Sequence, residues 1–427
     1  MNTTSMKPAK NYPEMVCRFI GPFVFYFIAM TAGRAQSFAD SVAAKYPFIQ
    51  SSLNKIGNDS IGLHSFYEKL YQLETKNLKK ISIVHIGDSH IQADFFSGLL
   101  RQQLQATFGN AGRGLIFPYK VARTNEPSGF QTSTNLTWET KRNIFISNPL
   151  PIGISGITIK TMDSAAFINL TVLDQAGLDY GFTKLTVFHE KGPQAFDLML
   201  YNGSEITGFI NSNLLIGGPF CSAVNFDKPQ KSIRLKMYKR DTLQNFAQIY
   251  GLLLENETPG ILYNATGVNG AECRHITASK YFFDQLTLLV PDLVIVSLGT
   301  NEAYARGFDA GRFQMQLDSL AKQVKRAQPE AVLLFTTPAD SYRKKYKNPD
   351  MRIARNTIIQ YCEVNHFPYW DLYAIMGGFG SMAKWKAKNL SAPDKVHFSR
   401  AGYELQGKLM YSAFINGYNN FKKRQHP

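Results

Sequence analysis

Residues 81–90 read Ile81-Ser-Ile-Val-His-Ile-Gly-Asp-Ser-His90. The apolar, β-branched run at 81–86 has the length of a buried strand, and Gly87-Asp88 ends it. Apolar residues then recur at helical spacing, at Ile91, Phe95 and Leu99. Ser89 is therefore predicted to lie in the turn between a strand and a helix.

The position of Ser89 has two interpretations. A hydroxyl at a helix N-terminus faces unpaired backbone N–H groups and the positive end of the helix dipole, which suits a nucleophile whose reaction develops an oxyanion. Serine is also a leading N-cap residue. From this segment alone, the simple helix cap is the favoured interpretation.

The length, composition and charge of the chain limit its number of domains, its class and its partners. With 427 residues, the chain exceeds the usual size of one core, so a second domain or a large insertion is expected. The composition, 44% hydrophobic and 19% charged, is that of a folded globular protein. The net charge of +15 favours polyanionic surroundings, such as nucleic acid, an anionic lipid face or an anionic cell-wall polymer. The short basic runs at 343–347 and 422–424 are typical of solvated surface.

Residues 1–35 have the pattern of a secretory signal peptide. An apolar run at 19–30, short for a bilayer span, is followed by Gly33 and Ala35 at the small positions of a cleavage site. Cationic residues precede the run, namely Lys7, Lys10 and Arg18. The sequence predicts secretion across the inner membrane to the periplasm or the extracellular space, with no membrane span after cleavage. An uncleaved anchor is the alternative.

A change of periodicity marks residues 125–258 as a separate unit. Apolar residues at 168–172 and at 233–237 alternate with polar ones, which indicates half-buried antiparallel strands. Several such runs separated by turns predict a β-sandwich. Helix–strand alternation resumes at 259, so the sandwich is predicted as an insertion between two parts of one α/β domain, 36–124 and 259–427.

The α/β domain is predicted to contain a parallel sheet covered on both faces, because near-continuous apolar strands alternate with helices. In such sheets, ligands bind beyond the carboxyl ends of the strands. The predicted strands are 81–86, 261–264, 293–298, 332–336 and 368–371, and the predicted helices are 62–73, 275–289, 311–327 and 351–364.

Polar motifs follow these elements in a fixed order. They are Gly87-Asp-Ser-His90, Gly267-Val-Asn-Gly-Ala271, Gly299-Thr-Asn-Glu302 and, before the last helix, Asp394-Lys-Val-His397. In these motifs the sequence resembles the SGNH (GDSL-type) hydrolases, which implies a flavodoxin-like three-layer fold. The family's defining residues would be Ser89, Gly270, Asn301 and His397, with Asp394 as the carboxylate partner.

The residue types fit ester hydrolysis. A serine hydroxyl needs a base such as His397, and the imidazole needs a carboxylate such as Asp394 to fix its tautomer. The resemblance assigns the oxyanion donors to the Ser89 and Gly270 N–H groups and the Asn301 amide. Taken singly, Asn301 is also a good helix cap, and Asp394 with His397 is also a plausible surface turn pair.

Three further positions border these motifs. His90 and Asp94 are predicted to be structural, although both lie close to the serine in sequence. Glu302 stands where many members of the family have an aspartate, so substrate preferences of those members do not transfer. The other histidines do not cluster at metal-ligand spacing, so neither a metal nor a cofactor is predicted.

Within the family, a secreted chain with an inserted β-sandwich looks like the peptidoglycan O-acetylesterases, whose insert resembles a carbohydrate-binding domain. The resemblance implies a serine esterase that removes O-acetyl groups from a cell-wall or extracellular polysaccharide, foremost peptidoglycan, through an acetyl-serine intermediate. The expected partner is that polysaccharide, not nucleic acid. Alternatives are a xylan-type acetylesterase, a polysaccharide O-acetyltransferase and a non-catalytic glycan-binding protein.

Overall fold

The computed structural model describes residues 38, 41–145, 150–214 and 220–425. The predicted signal peptide at 1–35 lies outside these ranges. Within them, no helix has both the length and the apolar character needed to cross a membrane.

The described residues form strands β1 to β19 and helices α1 to α12, besides a short 3₁₀ turn at Ser51–Leu53. The strands are β1 Ile56–Gly57, β2 Lys80–Gly87, β3 Gly114–Ile116, β4 Phe130–Thr134, β5 Glu139–Arg142, β6 Ile157–Thr161, β7 Phe167–Val172, β8 Phe182–His189, β9 Asp197–Asn202, β10 Glu205–Ile210, β11 Cys221–Gln230, β12 Ser232–Tyr238, β13 Ala247–Glu255, β14 Gly260–Gly267, β15 Leu293–Ser297, β16 Val332–Thr336, β17 Tyr342–Arg343, β18 Tyr346–Lys347 and β19 Tyr369–Trp370. The helices are α1 Asp59–Gly62, α2 His64–Glu74, α3 Ser89–Gln92, α4 Phe96–Phe108, α5 Cys273–Thr277, α6 Phe282–Leu288, α7 Thr300–Tyr304, α8 Ala310–Ala327, α9 Asp350–Asn365, α10 Leu372–Ile375, α11 Ser381–Ala387 and α12 Arg400–Gln425.

The central sheet has the spatial order β1-β19-β16-β15-β2-β14. Its neighbouring strands run parallel, except that β1 at the edge is antiparallel to β19. Numbered in chain order, the parallel strands lie in the order 2-1-3-4-5, which is the flavodoxin-like arrangement. The predicted parallel α/β sheet is confirmed. The carboxyl end of β2 lies where the strand order reverses, the place where such sheets bind ligands.

Both faces of this sheet are covered, because successive strand residues point to opposite sides. Ile83 belongs to one buried cluster with residues of α2, α4 and α12. Its neighbour Val84 belongs to a second cluster, with residues of α5, α6, α8 and α9. The near-continuous apolar strands seen in the sequence are explained by this two-sided burial.

The single helix predicted after Ser89 is in fact two helices, α3 and α4, because Asp94 adopts a left-handed conformation with φ of 52°. The Asp94 carboxylate lies 2.9 Å from Arg101 and 2.7 Å from Arg113, and both guanidinium groups are buried. Burial would raise the pKa of Asp94, but the two guanidinium groups outweigh it and hold the pKa below its usual value. This buried ion cluster fixes the break. The predicted helix 275–289 is likewise divided, into α5 and α6.

Two large antiparallel sheets lie outside the central sheet, besides the two-stranded hairpin of β17 and β18. One has the order β10-β9-β12-β7-β4, and the other has the order β11-β8-β13-β6-β5 with β3 added beside β13. The alternation predicted at 168–172 and 233–237 is confirmed, since every second residue of β7 and β12 is buried. Leu235 of the first sheet and Leu254 of the second belong to the same hydrophobic cluster. Tyr250 and Leu253 of β13 instead join a core cluster of the central sheet.

Candidate active site

Ser89 is the first residue of α3, directly beyond the carboxyl end of β2. The cap of this helix is Asp88, whose carboxylate accepts a hydrogen bond of 2.9 Å from the His90 N–H. Because Asp88 occupies the cap position, the simple cap interpretation of Ser89 is wrong. The turn is tight: a Cβ on Gly87 would lie 2.2 Å from Cγ1 of Ile91, so only glycine fits there.

Ser89 and His397, 308 positions apart in the chain, meet at this turn. The Ser89 hydroxyl lies 2.9 Å from Nε2 of His397, and Nδ1 of His397 lies 2.7 Å from Oδ2 of Asp394. An ionised Asp394 accepts a hydrogen bond from the Nδ1–H group, which leaves Nε2 as the acceptor for the serine hydroxyl. The sequence-predicted serine, histidine and aspartate are therefore brought together in one hydrogen-bonded line.

Asp394 also shapes the backbone around the histidine. Its Oδ1 accepts hydrogen bonds from the N–H groups of Val396, at 2.9 Å, and His397, at 3.0 Å. Partial burial alone would raise the pKa of Asp394, but the hydrogen bonds from the His397 ring and from these two N–H groups hold the pKa below its usual value. The carboxylate thus stays charged and orients the ring.

Two backbone N–H groups, those of Ser89 and Gly270, belong to residues that line one pocket. Gly270 has a φ of 85°, a left-handed conformation that glycine adopts without strain. Within the described part of the chain, neither the Gly270 N–H nor the Ser89 N–H donates an intramolecular hydrogen bond. Both groups are therefore available to an oxyanion.

The third predicted donor, Asn301, is engaged in this structure. It lies in α7, whose cap is Gly299, so the alternative role of Asn301 as a helix cap is wrong. Its Nδ2 donates to the Ala271 carbonyl at 2.9 Å and lies 3.3 Å from Oδ2 of Asp88. The bond to Ala271 fixes the amide beside Gly270. The longer contact with Asp88 is the one that an oxyanion could replace.

These residues line one open pocket with a volume of about 930 Å³. Its walls include Asn125, in the segment between β3 and β4. Gln92 holds this wall in place: its Oε1 accepts from the Asn269 N–H at 2.8 Å, and its Nε2 donates to Asn125 Oδ1 at 2.9 Å. The segment before β4 is thereby attached to the turn that carries Gly270.

His90 and Asp94 differ in their relation to the pocket. Nδ1 of His90 lies 2.9 Å from the Tyr403 hydroxyl, and its ring centroid lies 5.2 Å from that of His397. His90 and Tyr403 therefore support the side of the His397 ring. Asp94 belongs to the buried ion cluster and does not line the pocket.

Sequence reasoning did not find Gln92, Asn125 or Tyr403. Gln92 gave a usable signal, since it follows Ser89 by three residues and so lies on the same side of a helix. Asn125 and Tyr403 gave no such signal, because only tertiary packing brings them close to Ser89. Among the residues that the structure describes, no group of three His, Cys, Asp or Glu side chains is placed to hold a metal ion.

Glu302 joins the two turns that carry Gly270 and Asn301. Its Oε1 accepts from the Cys273 N–H at 2.8 Å, and its Oε2 accepts from the Gly299 N–H at 3.0 Å. Burial raises the pKa of Glu302 to about 7, against the opposing effect of the N–H bond from Cys273. Glu302 therefore has a structural place beneath the site and does not line the pocket.

The raised pKa of Glu302 predicts a pH-dependent stability. The neutral form favours folding, so its contribution is fully present below about pH 4 and is lost as the pH rises through about 7. Relative to Glu302→Gln, the wild-type free energy of unfolding should fall by up to about 3 kcal/mol across that range. Denaturant titrations of both proteins at several pH values measure this difference. Glu404→Gln, which removes a surface carboxylate paired with Arg400, is the control and should follow the wild type. Parallel pH profiles for wild type and Glu302→Gln would contradict the prediction.

Comparison with known families agrees with this geometry. Residues 238–405 match the GDSL-like Lipase/Acylhydrolase family. The matched range contains Gly270, Asn301, Asp394 and His397 and begins after Ser89. The resemblance to GDSL-type hydrolases inferred from the motifs is confirmed over these residues.

Three solved structures match this chain to different extents. A peptidoglycan O-acetylesterase matches with a TM-score of 0.69 and 22% identity, over 83% of this chain and 96% of that one. A lipase/acylhydrolase from Enterococcus faecalis matches with a TM-score of 0.29 and 17% identity, over 37% and 77% of the two chains. An acetylxylan esterase from Geobacillus stearothermophilus matches with a TM-score of 0.29 and 18% identity, over 37% and 73%. No curated protein gives a significant sequence match.

Proposed function

We propose that this chain is a serine esterase that removes O-acetyl groups from a cell-wall or extracellular polysaccharide, foremost peptidoglycan. The observation that carries the proposal is the hydrogen-bonded line of Ser89, His397 and Asp394, with distances of 2.9 and 2.7 Å, beside two free backbone N–H groups. This arrangement supports attack on an ester carbonyl and stabilisation of the resulting oxyanion.

In the first half of the reaction, Ser89 Oγ attacks the acetyl carbonyl carbon while His397 Nε2 takes the hydroxyl proton. The tetrahedral oxyanion accepts hydrogen bonds from the Ser89 and Gly270 N–H groups, and from Asn301 once its contact with Asp88 is released. His397 then gives its proton to the sugar oxygen as the C–O bond breaks. The products are a free sugar hydroxyl and acetyl-Ser89.

In the second half, water replaces the sugar in the pocket. His397 takes a proton from this water as its oxygen attacks the acetyl carbon, and the same two N–H groups stabilise the second oxyanion. The proton passes from His397 to Ser89 Oγ as the ester bond to the acetyl carbon breaks, and acetic acid leaves and loses its proton to the solvent as acetate. Throughout, Asp394 stabilises the imidazolium form of His397.

The exposure of the site supports a polymeric substrate. The side chains of His397 and Asp394 are 41% and 51% exposed, so the catalytic line lies at the surface and not at the end of a tunnel. An acetyl group that projects from a long glycan reaches such a site without the chain end having to enter. The predicted signal peptide at 1–35 supports the same location for enzyme and substrate, outside the cytoplasm.

We infer that the two antiparallel sheets form the predicted sandwich, inserted between the parts of the hydrolase domain, and that it helps to hold the glycan. The shared hydrophobic cluster of the two sheets supports the sandwich. Contact with the pocket supports the second role: Asn125 lines it, and a Cβ on Gly270 would lie 3.6 Å from Ile144. Phe145 follows Ile144, and its side chain is 55% exposed.

Phe145→Ala tests the contribution of this insert to polymer binding. Loss of an aromatic ring on which a sugar can stack should lower the activity ratio of O-acetylated polymer to small acetyl ester by roughly fivefold. Steady-state rates on both substrates give this ratio. Phe209→Ala is the matched control, because Phe209 is 45% exposed on β10 at the far edge of the other sheet. An equal ratio for the Phe145 variant and the wild type would show that glycan binds elsewhere.

Acetate release from two polymers tests the proposed substrate. The purified protein should release acetate faster from O-acetylated peptidoglycan than from acetylated xylan. The reverse order would identify a xylan-type acetylesterase. Transfer of acetyl to an added acceptor glycan, in excess of hydrolysis, would identify an O-acetyltransferase. No release from either polymer or from a small ester would leave a glycan-binding protein.

A further inference from the structure

The basic run at 343–347, which the sequence predicted to be ordinary solvated surface, lies at the rim of the catalytic pocket. It forms the hairpin of β17 and β18, and the turn residues Lys344 and Lys345 line the pocket together with Ser89 and His397. A third lysine, Lys395, lines the same pocket from the loop between Asp394 and His397. We call these three residues the lysine rim.

The hairpin is held firmly against the catalytic elements. Arg343 donates to the carbonyl groups at the end of α7, to Ala303 at 2.7 Å and to Tyr304 at 2.8 Å. The same guanidinium lies 2.7 Å from Asp350. On the other side, the Tyr342 N–H donates to the Lys395 carbonyl at 3.0 Å. The hairpin therefore bridges the helix that carries Asn301 and the loop that carries His397.

The charges of the lysine rim are not neutralised within the described chain. None of Lys344, Lys345 and Lys395 lies within ion-pair distance of a carboxylate among the residues that the structure describes. Lys344 and Lys345 are exposed, and Lys344 has a left-handed backbone with φ of 59°. The carboxylate of the pocket, Asp394, is already bound to His397. Lys344 and Lys345 thus bring two positive charges to the pocket, and Lys395, whose amino group lies 4.5 Å from the ring centroid of Tyr342, brings a third.

We propose that the lysine rim is a subsite for carboxylate groups of the substrate, so that the enzyme selects O-acetylated glycans that carry carboxylates near the acetylated sugar. This inference rests on the proposed esterase function and narrows its substrate class. Neutral glycans such as xylan backbones have no group for the rim to bind.

Lysine is a suitable cation for binding the carboxylates of a polymer. Lysine offers a compact charge on a flexible stem, which suits carboxylates whose spacing varies along a polymer better than the fixed fork of arginine does. The arginine of the run, Arg343, is used instead as the anchor of the hairpin. An exposed ion pair contributes a factor of about two to five in affinity, so three pairs together give roughly tenfold or more.

Competitive inhibition of small-ester hydrolysis tests the subsite apart from the identity of the natural polymer. Tetragalacturonate, which carries carboxylates, should inhibit hydrolysis of 4-nitrophenyl acetate with an inhibition constant about tenfold lower than that of neutral xylotetraose. Because exposed charges are screened, this preference should largely disappear at about 0.5 M salt. The triple variant Lys344→Gln, Lys345→Gln, Lys395→Gln should bind the two oligosaccharides equally.

Lys347→Gln is the matched control. It removes one positive charge from the same hairpin, at a residue that does not line the pocket. This variant should keep the preference for tetragalacturonate. Equal inhibition of the wild type by the two oligosaccharides, or a preference that survives the triple substitution, would overturn the subsite.

The two proposals fail in different ways. If the proposed polymer substrate is wrong, acetate is not released from O-acetylated polymers, although hydrolysis of the small ester and its inhibition can still be measured. If only the lysine rim is wrong, acetate is released, and the preference for tetragalacturonate is either absent from the wild type or retained by the triple variant.

Discussion

Ser89→Ala is expected to lower kcat for a small acetyl ester by about 10⁶-fold while leaving the fold intact. The reaction proposed here needs an oxygen nucleophile 2.9 Å from His397 Nε2, and alanine supplies none. Stability should change little, because Asp88 and not Ser89 caps α3. Steady-state hydrolysis of 4-nitrophenyl acetate and thermal unfolding of the variant measure the two quantities.

Ser60→Ala is a suitable control for this experiment. Ser60 is an exposed serine in α1, outside the pocket, and its loss should leave the rate at the wild-type value. A Ser89→Ala protein that is folded and retains more than a trace of activity would remove Ser89 from the role of nucleophile.

Substitutions of His397 and Asp394 should lower kcat by different amounts. His397→Ala removes the base and is expected to cost about 10⁶-fold in kcat, whereas Asp394→Asn keeps the base and is expected to cost about 10⁴-fold. The milder loss follows because asparagine no longer fixes the Nδ1 proton or stabilises the imidazolium, although Nε2 remains beside Ser89. Rates of acetate release from one soluble ester, compared across both variants, give the order.

Because these residues act as one unit, the double variant should be no worse than His397→Ala alone. Additive losses would mean that Asp394 acts independently of the histidine. Rates close to wild type in both single variants would exclude the pair from the reaction.

The separate elements of the site were predictable from local sequence, whereas the meeting of Ser89 with His397 and the oxyanion donors were implied by the family resemblance. The turn after β2 is encoded by the apolar run before Gly87-Asp88, and the pairing of Asp394 with His397 by their spacing of three residues. The parallel sheet follows from strands without polar alternation. The order of the motifs then placed Gly270 and Asn301 at the same edge of that sheet.

Other features depend on packing and leave no local pattern. The periodicity through Ile91, Phe95 and Leu99 continues across Asp94, so the break between α3 and α4 could not be predicted without the distant partner Arg113. The contact of Asn301 with Asp88 arises because two strand ends meet. The position of the hairpin at the pocket rim depends on the anchoring of Arg343 to α7, which lies about forty residues earlier in the chain.

The buried ion cluster of Asp94, Arg101 and Arg113 bears on whether the two antiparallel sheets can be treated as an exchangeable module. Phe130 of β4 covers Arg113, with its ring centroid 5.5 Å from the guanidinium carbon, and Tyr180 covers Arg101 at 5.9 Å. Excising residues 125–258 would expose this ion cluster next to the turn that carries Ser89. It would also remove β13, whose Tyr250 and Leu253 belong to a core cluster of the central sheet. Grafting the two antiparallel sheets onto another hydrolase would require transplanting the cluster as well as the loop ends.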